Sequence, residues 1–122
     1  MIGLELNISI LSAALRGEPT GQPQDFRGDV AAVAKRNLRK GEMLDGEGGY
    51  TVWGKLMPAA ASLAAGALPI GLAHRVKLKN GIAHVAVVRW NDVEIDAGAD
   101  AVATRRAMEQ RFGGAAKAKE SA

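Results

Sequence analysis

The sequence predicts a small, mainly β domain flanked by a helix at its N-terminal side and another at its C-terminal side. Three observations carry that expectation. Short β-branched runs broken by glycine and asparagine fill the middle of the chain, apolar residues recur at helical spacing near both termini, and the middle holds a weak internal repeat. At 122 residues the chain supports one domain with an extra helix at either end.

Residues 3–16 fit two periods. Leu4, Leu6, Ile8 and Ile10 alternate as in a strand, whereas Leu4, Ile8, Leu11 and Leu15 follow one helical face. The helical stripe covers more of the segment and continues through Ala13 and Ala14, and Gly17 and Pro19 supply a stop, so a helix is expected. It opens without a capping residue. Thr20–Gly28 turns to Gly, Pro, Gln and Asp and reads as a linker.

Val30–Lys35 reads as a strand, followed by a turn around Asn37–Gly41 and an apolar return at Met43–Leu44. Tyr50–Trp53 is β-branched and aromatic, as strands are. In residues 58–65 Pro58 takes the first helical position and Gly66 lies just past the end, the asymmetry of a short helix. Leu68–Leu78 and His84–Trp90 read as strands, Asn91–Asp92 as a turn and Val93–Ile95 as a last strand. Ala99–Phe112 is expected to be helical, with Asp100 as cap and Val102, Arg105 or Arg106, Glu109 and Phe112 at helical spacing. Gly113–Gly114 are expected to end it, leaving a disordered tail over 114–122. The resulting organisation is 1–19 helix, 20–27 linker, 28–96 β domain, 97–113 helix and 114–122 tail.

The internal repeat relates Lys35–Leu44 to Leu78–Val88, each with a basic strand end, an Asn, a turn and an apolar return. The second copy has one more residue and sets Val85 where the first has Gly41, so its turn is expected to be built differently. Two such copies imply a pseudo-symmetric domain.

Composition removes several function classes. Hydrophobic residues make up 48% and charged residues 24%, as in soluble globular proteins, and only five residues are aromatic, so the core must be close-packed from small side chains. The net charge is +3, and acids at Asp29, Glu42, Asp45 and Glu47 interrupt the basic residues, which argues against nucleic-acid binding. With no cysteine there are no disulfides, thiolate metal sites or cysteine nucleophiles. No apolar run reaches the roughly 20 residues that span a bilayer. The start lacks the basic lead of a signal peptide, and the expectation is a cytoplasmic protein.

The segment that invites a chemical reading is Asp45–Lys55, with four glycines, two acids, a tyrosine, a tryptophan and a lysine. Gly49 to Lys55 matches G-x-x-x-x-G-K, but Leu56 stands where Ser or Thr would hold magnesium, and the inner residues favour a strand over a helix N-terminus. A dinucleotide fingerprint fails because Thr51 occupies the place of its last glycine. A calcium loop fails because Gly49 occupies a ligand position. The glycines are most simply explained by positive φ or close backbone approach. His74 and His84 lie in different predicted strands and suggest no third ligand, so no metal site is expected. The serines show no nucleophile-elbow pattern, and no residue demands a catalytic role.

Ala34–Leu44, "AKRNLRKGEML", and Trp90–Val93, "WNDV", together with the segment between them, resemble the SAF domain, the β-clip fold shared by type III antifreeze proteins and sialic acid synthases. The resemblance covers residues 28–96. "LDGEGGYTVWGKLMPA" and "GALPIGLAH" further resemble the C-terminal part of homoserine-dehydrogenase-like, NAD(P)-dependent oxidoreductases, some of them similar in activity to deoxyxylulose-phosphate reductoisomerase. That likeness implies a β-clip fold, an N-terminal helix that closes an upstream catalytic domain, and NAD(P) bound by that larger protein with no cofactor in this chain. It carries over no catalytic residue. The expected role is a non-catalytic accessory or oligomerisation domain whose partners are an upstream catalytic domain or another subunit, with a homo-oligomer expected. A stand-alone module for carbohydrate or sugar acids is the alternative, and a periplasmic flagellar chaperone is disfavoured by the lack of a signal peptide. If the domain touches a ligand or partner through this loop, Glu47, Tyr50, Trp53 and Lys55 are the contact residues.

Overall fold

The computed structural model describes the backbone of residues 2–120 and the side chains of residues 2–113. The elements in chain order are α1 (Ile2–Leu11), β1 (Gly28–Ala34), β2 (Met43–Asp45), β3 (Val52–Pro58), α2 (Ala59–Ala65), β4 (His74–Leu78), β5 (Val93–Glu94) and α3 (Asp100–Glu120), with 3-10 turns at Ile70–Leu72 and Trp90–Asp92. Helix residues outnumber strand residues, so the architecture is mixed helix and antiparallel sheet rather than mainly β. Two causes account for the difference. His84–Trp90 contributes only single bridges instead of a strand, and α3 is longer than expected.

β1 and β3 pair antiparallel without a break from Gly28↔Pro58 to Ala34↔Val52. A second sheet orders β2-β4-β5. Single antiparallel bridges, Ala31↔Pro69, Val33↔Val87, Leu38↔Ile82 and Ala67↔Arg89, join the remaining segments to these sheets. β1 is therefore covered on both sides, and its alternation stops after Val30: Ala31, Ala32, Val33 and Ala34 are all buried. Alanine at three of those positions lets neighbouring backbones approach closely. Leu44, Val52, Leu68, Leu78, Val88 and Val93 fill the centre. Trp90 packs against them.

The internal repeat is real in the backbone. Leu38 and Ile82 exchange both hydrogen bonds, at 2.8 and 3.0 Å. Gly41 N–H donates to the Leu78 carbonyl, and Val85 N–H donates to the Ala34 carbonyl, at 2.8 and 3.0 Å. Leu78 N–H donates to Glu42 and Ala34 N–H to Ala86, at 2.9 and 3.0 Å. Every residue of one copy corresponds to the residue 44 positions on, as Leu38 does to Ile82 and Gly41 to Val85, so the second copy carries no insertion. The expectation of a differently built turn is corrected as well. Val85 adopts φ 67° where Gly41 adopts φ 83°, a left-handed conformation that a β-branched residue rarely takes.

Other boundaries shift for local reasons. β3 starts at Val52, because Tyr50 and Thr51 close the preceding loop, and it runs on to Pro58, which precedes α2 instead of opening it. Gly66 caps α2 in the left-handed region, as expected. Leu68–Leu78 is extended only from His74, since Pro69 leads into a 3-10 turn. Asp100 lies in the first turn of α3, not before it. α3 continues through Gly113–Gly114 to Glu120, so the tail expected from residue 114 is helical to 120, with Ser121 and Ala122 outside the described residues. Gly113 lies against Leu63 of α2, where an added Cβ would come within 3.3 Å, and the alanines beyond it are strong helix formers.

α3 is fastened to the body by a buried ion cluster. Arg105 grips Asp29 with both guanidinium arms, Nη1 to Oδ1 at 2.9 Å and Nη2 to Oδ2 at 2.6 Å. Ser62 of α2 donates to the same carboxylate, and Arg105 Nε reaches Glu109 at 2.8 Å. Arg106 stacks on Trp90 with its guanidinium carbon 3.6 Å from the ring centre. Burial opposes ionisation of Asp29, but the Arg105 and Ser62 hydrogen bonds outweigh it and hold the carboxyl below its usual range.

Two outcomes are expected in thermal unfolding followed by circular dichroism. Val85→Gly removes left-handed strain of about 1–3 kcal/mol while adding unfolded-chain entropy, for a net gain of roughly 1 kcal/mol and a Tm higher by about 4 °C. Arg105→Ala strands the buried Asp29 charge and lowers stability by about 3 kcal/mol, and Asp29→Asn added to it recovers part of that loss. A lower Tm for Val85→Gly, or an unchanged one for Arg105→Ala, would contradict these assignments.

Candidate functional site

The glycine-rich segment forms the loop between β2 and β3 and is organised around one carboxylate. Asp45 accepts hydrogen bonds from Tyr50 N–H at 2.6 Å, from Thr51 N–H at 3.1 Å and from the Thr51 hydroxyl. Thr51 Oγ1 accepts from Asp45 N–H at 3.1 Å, which locks the two ends of the loop together. Lys35 Nζ donates to the Gly49 carbonyl, and Lys35 N–H donates to the Thr51 carbonyl at 2.9 Å, so the residue just past β1 holds the loop.

The glycines follow from this geometry. Gly46 and Gly48 both adopt φ 79°, and a Cβ on Gly46 would also meet the His74 ring. Gly49 has no such φ, but a Cβ there would fall 2.2 Å from the Asp45 carboxyl carbon. Positive φ at two positions and close approach at a third are what the sequence led us to expect. A phosphate loop is ruled out on the same grounds. Such a loop aims free N–H groups at an anion and opens a helix. Here the amides of Tyr50 and Thr51 are spent on the chain's own Asp45, and the lysine of the motif, Lys55, lies inside β3.

Burial opposes ionisation of Asp45, but the Thr51 and Tyr50 donors outweigh it and hold its pKa at about 2, against 3.8 for a free carboxyl. The loop's carboxylate is thus a fixed acceptor, unsuited to proton transfer near neutral pH.

Of the four contact residues read from the sequence, the structure brings Trp53 and Lys55 onto one face of β3, two positions apart. Tyr50 projects from the loop with 85% of its surface exposed, and Trp53 is 40% exposed. Glu47 is exposed at the loop tip. None of the four lines the concavities found among the described residues. Larger concavities lie elsewhere. One, of about 510 Å³, follows the turn Arg36–Glu42. Glu42 binds Arg36 there and accepts from Arg39 N–H at 2.9 Å, which offsets the local positive charge. Another, also about 510 Å³, is an apolar groove between the linker, β1, β3 and α3.

Sequence reasoning missed two features. Thr51 appeared as a strand residue, yet it is buried and pins the loop. An acid and a hydroxyl residue bracketing a glycine cluster are the signal that marks such a self-capped turn. Asp29 appeared as a surface charge, and only its long-range partner Arg105 reveals its role. His74 and His84 remain apart, with His74 Nδ1 3.2 Å from the Asp45 carbonyl and His84 N–H on Asn37. Among the described residues no group of three or more His, Asp or Glu side chains converges as for a metal ion, and no buried side-chain polar atom lacks a partner.

No family model matches the chain, and no curated protein matches it.

A pH dependence follows from Asp45. Its folded pKa lies below the unfolded value, so its stabilisation is complete above about pH 4 and is lost as pH falls through about 2. Asp29, shifted the same way, adds to the loss. Asp45→Asn is expected to be less stable than the parent at pH 7 by about 1–3 kcal/mol and to converge with it on acidification. Denaturant melts between pH 7 and pH 2 measure both. A gap that does not shrink at low pH would contradict the role given to the Asp45 charge.

Proposed function

We propose that this chain is a non-catalytic SAF-type, β-clip interaction domain, the C-terminal portion of a larger NAD(P)-dependent oxidoreductase, in which it serves as an accessory or oligomerisation module. One observation carries the reading. The body is internally complete, with its buried polar side chains satisfied among the described residues, whereas α1 is apolar and uncovered. Ile2, Leu4, Leu6, Ile8, Ile10, Leu11 and Leu15 are each more than half exposed. A domain that keeps its polar groups paired and presents its aliphatic residues outward is equipped for packing against protein rather than for chemistry. The pseudo-twofold pairing of the two turns supports the β-clip part of the reading. NAD(P) would be held by the catalytic part of the larger protein.

The exposed Tyr50 and Trp53 favour a second reading, a stand-alone module for sugar acids, because sugar rings stack on exposed aromatic faces. No helix among the described residues is long and apolar enough to cross a membrane, which fits either reading.

Immunoblotting of source cells with an antibody to this domain separates them. The first reading expects a band several-fold above 12.7 kDa. A band at 12.7 kDa would overturn it, and calorimetry with sialic and uronic acids would then be expected to give binding that Tyr50→Ala weakens by about tenfold.

A further inference from the structure

The apolar character of α1 is arranged in a particular way. At 3.6 residues per turn, Leu4, Ile8 and Leu11 form one stripe, which Leu15 of the π turn that follows continues, and Ile2, Leu6 and Ile10 form a second on the opposite side. Both periods visible in the sequence are present at once. Glu5, Ser9, Ser12 and Arg16 lie between the stripes on one flank and Asn7 on the other. A helix with one stripe docks on one surface, and a helix with two opposed stripes is built to lie between two. No residue of α1 is buried; it packs mainly on the π turn, Ser12–Arg16, that continues it, and Ser9 Oγ lies 3.4 Å from Thr20 Oγ1 of the linker.

The same molecule carries a receptor of matching chemistry. The groove of about 510 Å³ is walled by Phe26, Val30, Leu56, Pro69, Ile70 and Met108. Leu56 is 73% exposed and Val30 39% exposed. The charges that line it are paired, Asp29 with Arg105 and Asp25 with Arg27, so an aliphatic stripe entering it would strand no ion. The linker that follows α1 runs into the groove wall at Pro23 and Phe26, so every helix leaves its own body beside a groove.

We propose that two copies of this chain associate by helix exchange, each laying the Leu4–Ile8–Leu11–Leu15 stripe of α1 and its π turn into the groove of the other. This rests on the reading of the chain as an interaction domain and names its partner. A second copy is favoured over the molecule's own groove by the second stripe. Folding α1 back would cover one stripe and leave Ile2, Leu6 and Ile10 in water, whereas a twofold pair sets these stripes against each other across the axis. The area suffices. Seven aliphatic side chains at roughly 100 Å² apiece, about two-thirds available, give near 450 Å² per helix. The second stripes cover each other, so both helices together with the groove faces that meet the first stripes total about 1,400 Å², within the range of specific interfaces.

The chain has no cysteine, which makes the test clean. Light scattering of the full chain at micromolar concentration is expected to give twice 12.7 kDa. Ile8→Glu and Leu56→Glu are each expected to weaken dimerisation at least about tenfold, because a charge would enter an apolar contact. The signature of the β body in near-ultraviolet circular dichroism should persist in both. Mixing an Ile8→Cys chain with a Leu56→Cys chain under mild oxidation is expected to give a disulfide-linked pair containing one of each. A monomeric parent chain overturns the exchange, as does a dimer indifferent to both glutamates. An intrachain disulfide in monomers of the doubly substituted chain also overturns it. These outcomes are independent of the immunoblot: a monomer with a large cellular parent protein would defeat the exchange alone, and a dimer with a band at 12.7 kDa would defeat only the oxidoreductase assignment.

Discussion

The two turns at the centre of the domain are each closed by the strand of the other copy. Gly41 donates to Leu78 and Val85 to Ala34, while Leu38 and Ile82 pair directly across the pseudo-twofold axis. Neither half can complete its turn without the other, so the body is one cooperative unit although its named strands are short. The reciprocal bonds also dictate where the core sits. They draw Ala34 and Leu78 to the axis and seat Leu44 and Val88, which correspond across the axis, in the interior. With so few aromatics, tight backbone approach at the alanines of β1 does the work that large side chains do elsewhere.

What surrounds that axis is fastened by charge. Asp29, Ser62 and Arg105 tie β1, α2 and α3 together, and Arg106, the next residue of α3, lies over Trp90 of the 3-10 turn. Asp45 plays the comparable part for the loop between β2 and β3, with its carboxylate taking up the amides that an anion site would have offered. The two most suggestive carboxylates in the molecule are therefore structural, and the surfaces left to interact are the exposed aromatics Tyr50 and Trp53, the apolar groove and α1.

The sequence made much of this legible, and the misses have physical causes. Helical spacing identified α1 and the packed face of α3, and the glycine cluster was correctly traced to backbone geometry. The mainly β expectation failed because His84–Trp90 has strand composition but meets its neighbours at isolated points, and composition does not report how many partners a segment finds. The expected end of α3 failed because two glycines were weighed without the alanines beyond them or the contact of Gly113 with Leu63. Val85 misled because its positive φ goes with the bond of its N–H to Ala34, 51 residues away, a constraint that outranks the local preference. Of the site, Glu47, Tyr50, Trp53 and Lys55 could be named from the glycine-rich segment, whereas the groove draws on four separate segments and leaves no trace in any one of them.

A helix the length of α1 and its π turn is marginal on its own in water, so its persistence must be supplied by contact. Amide hydrogen exchange across Ile2–Arg16, measured from dilute to concentrated protein, tests this most directly. The account predicts protection of α1 that rises with concentration while Ala32 and Ala34 exchange slowly throughout. Protection of α1 that is independent of concentration, or absent at every concentration, would contradict it.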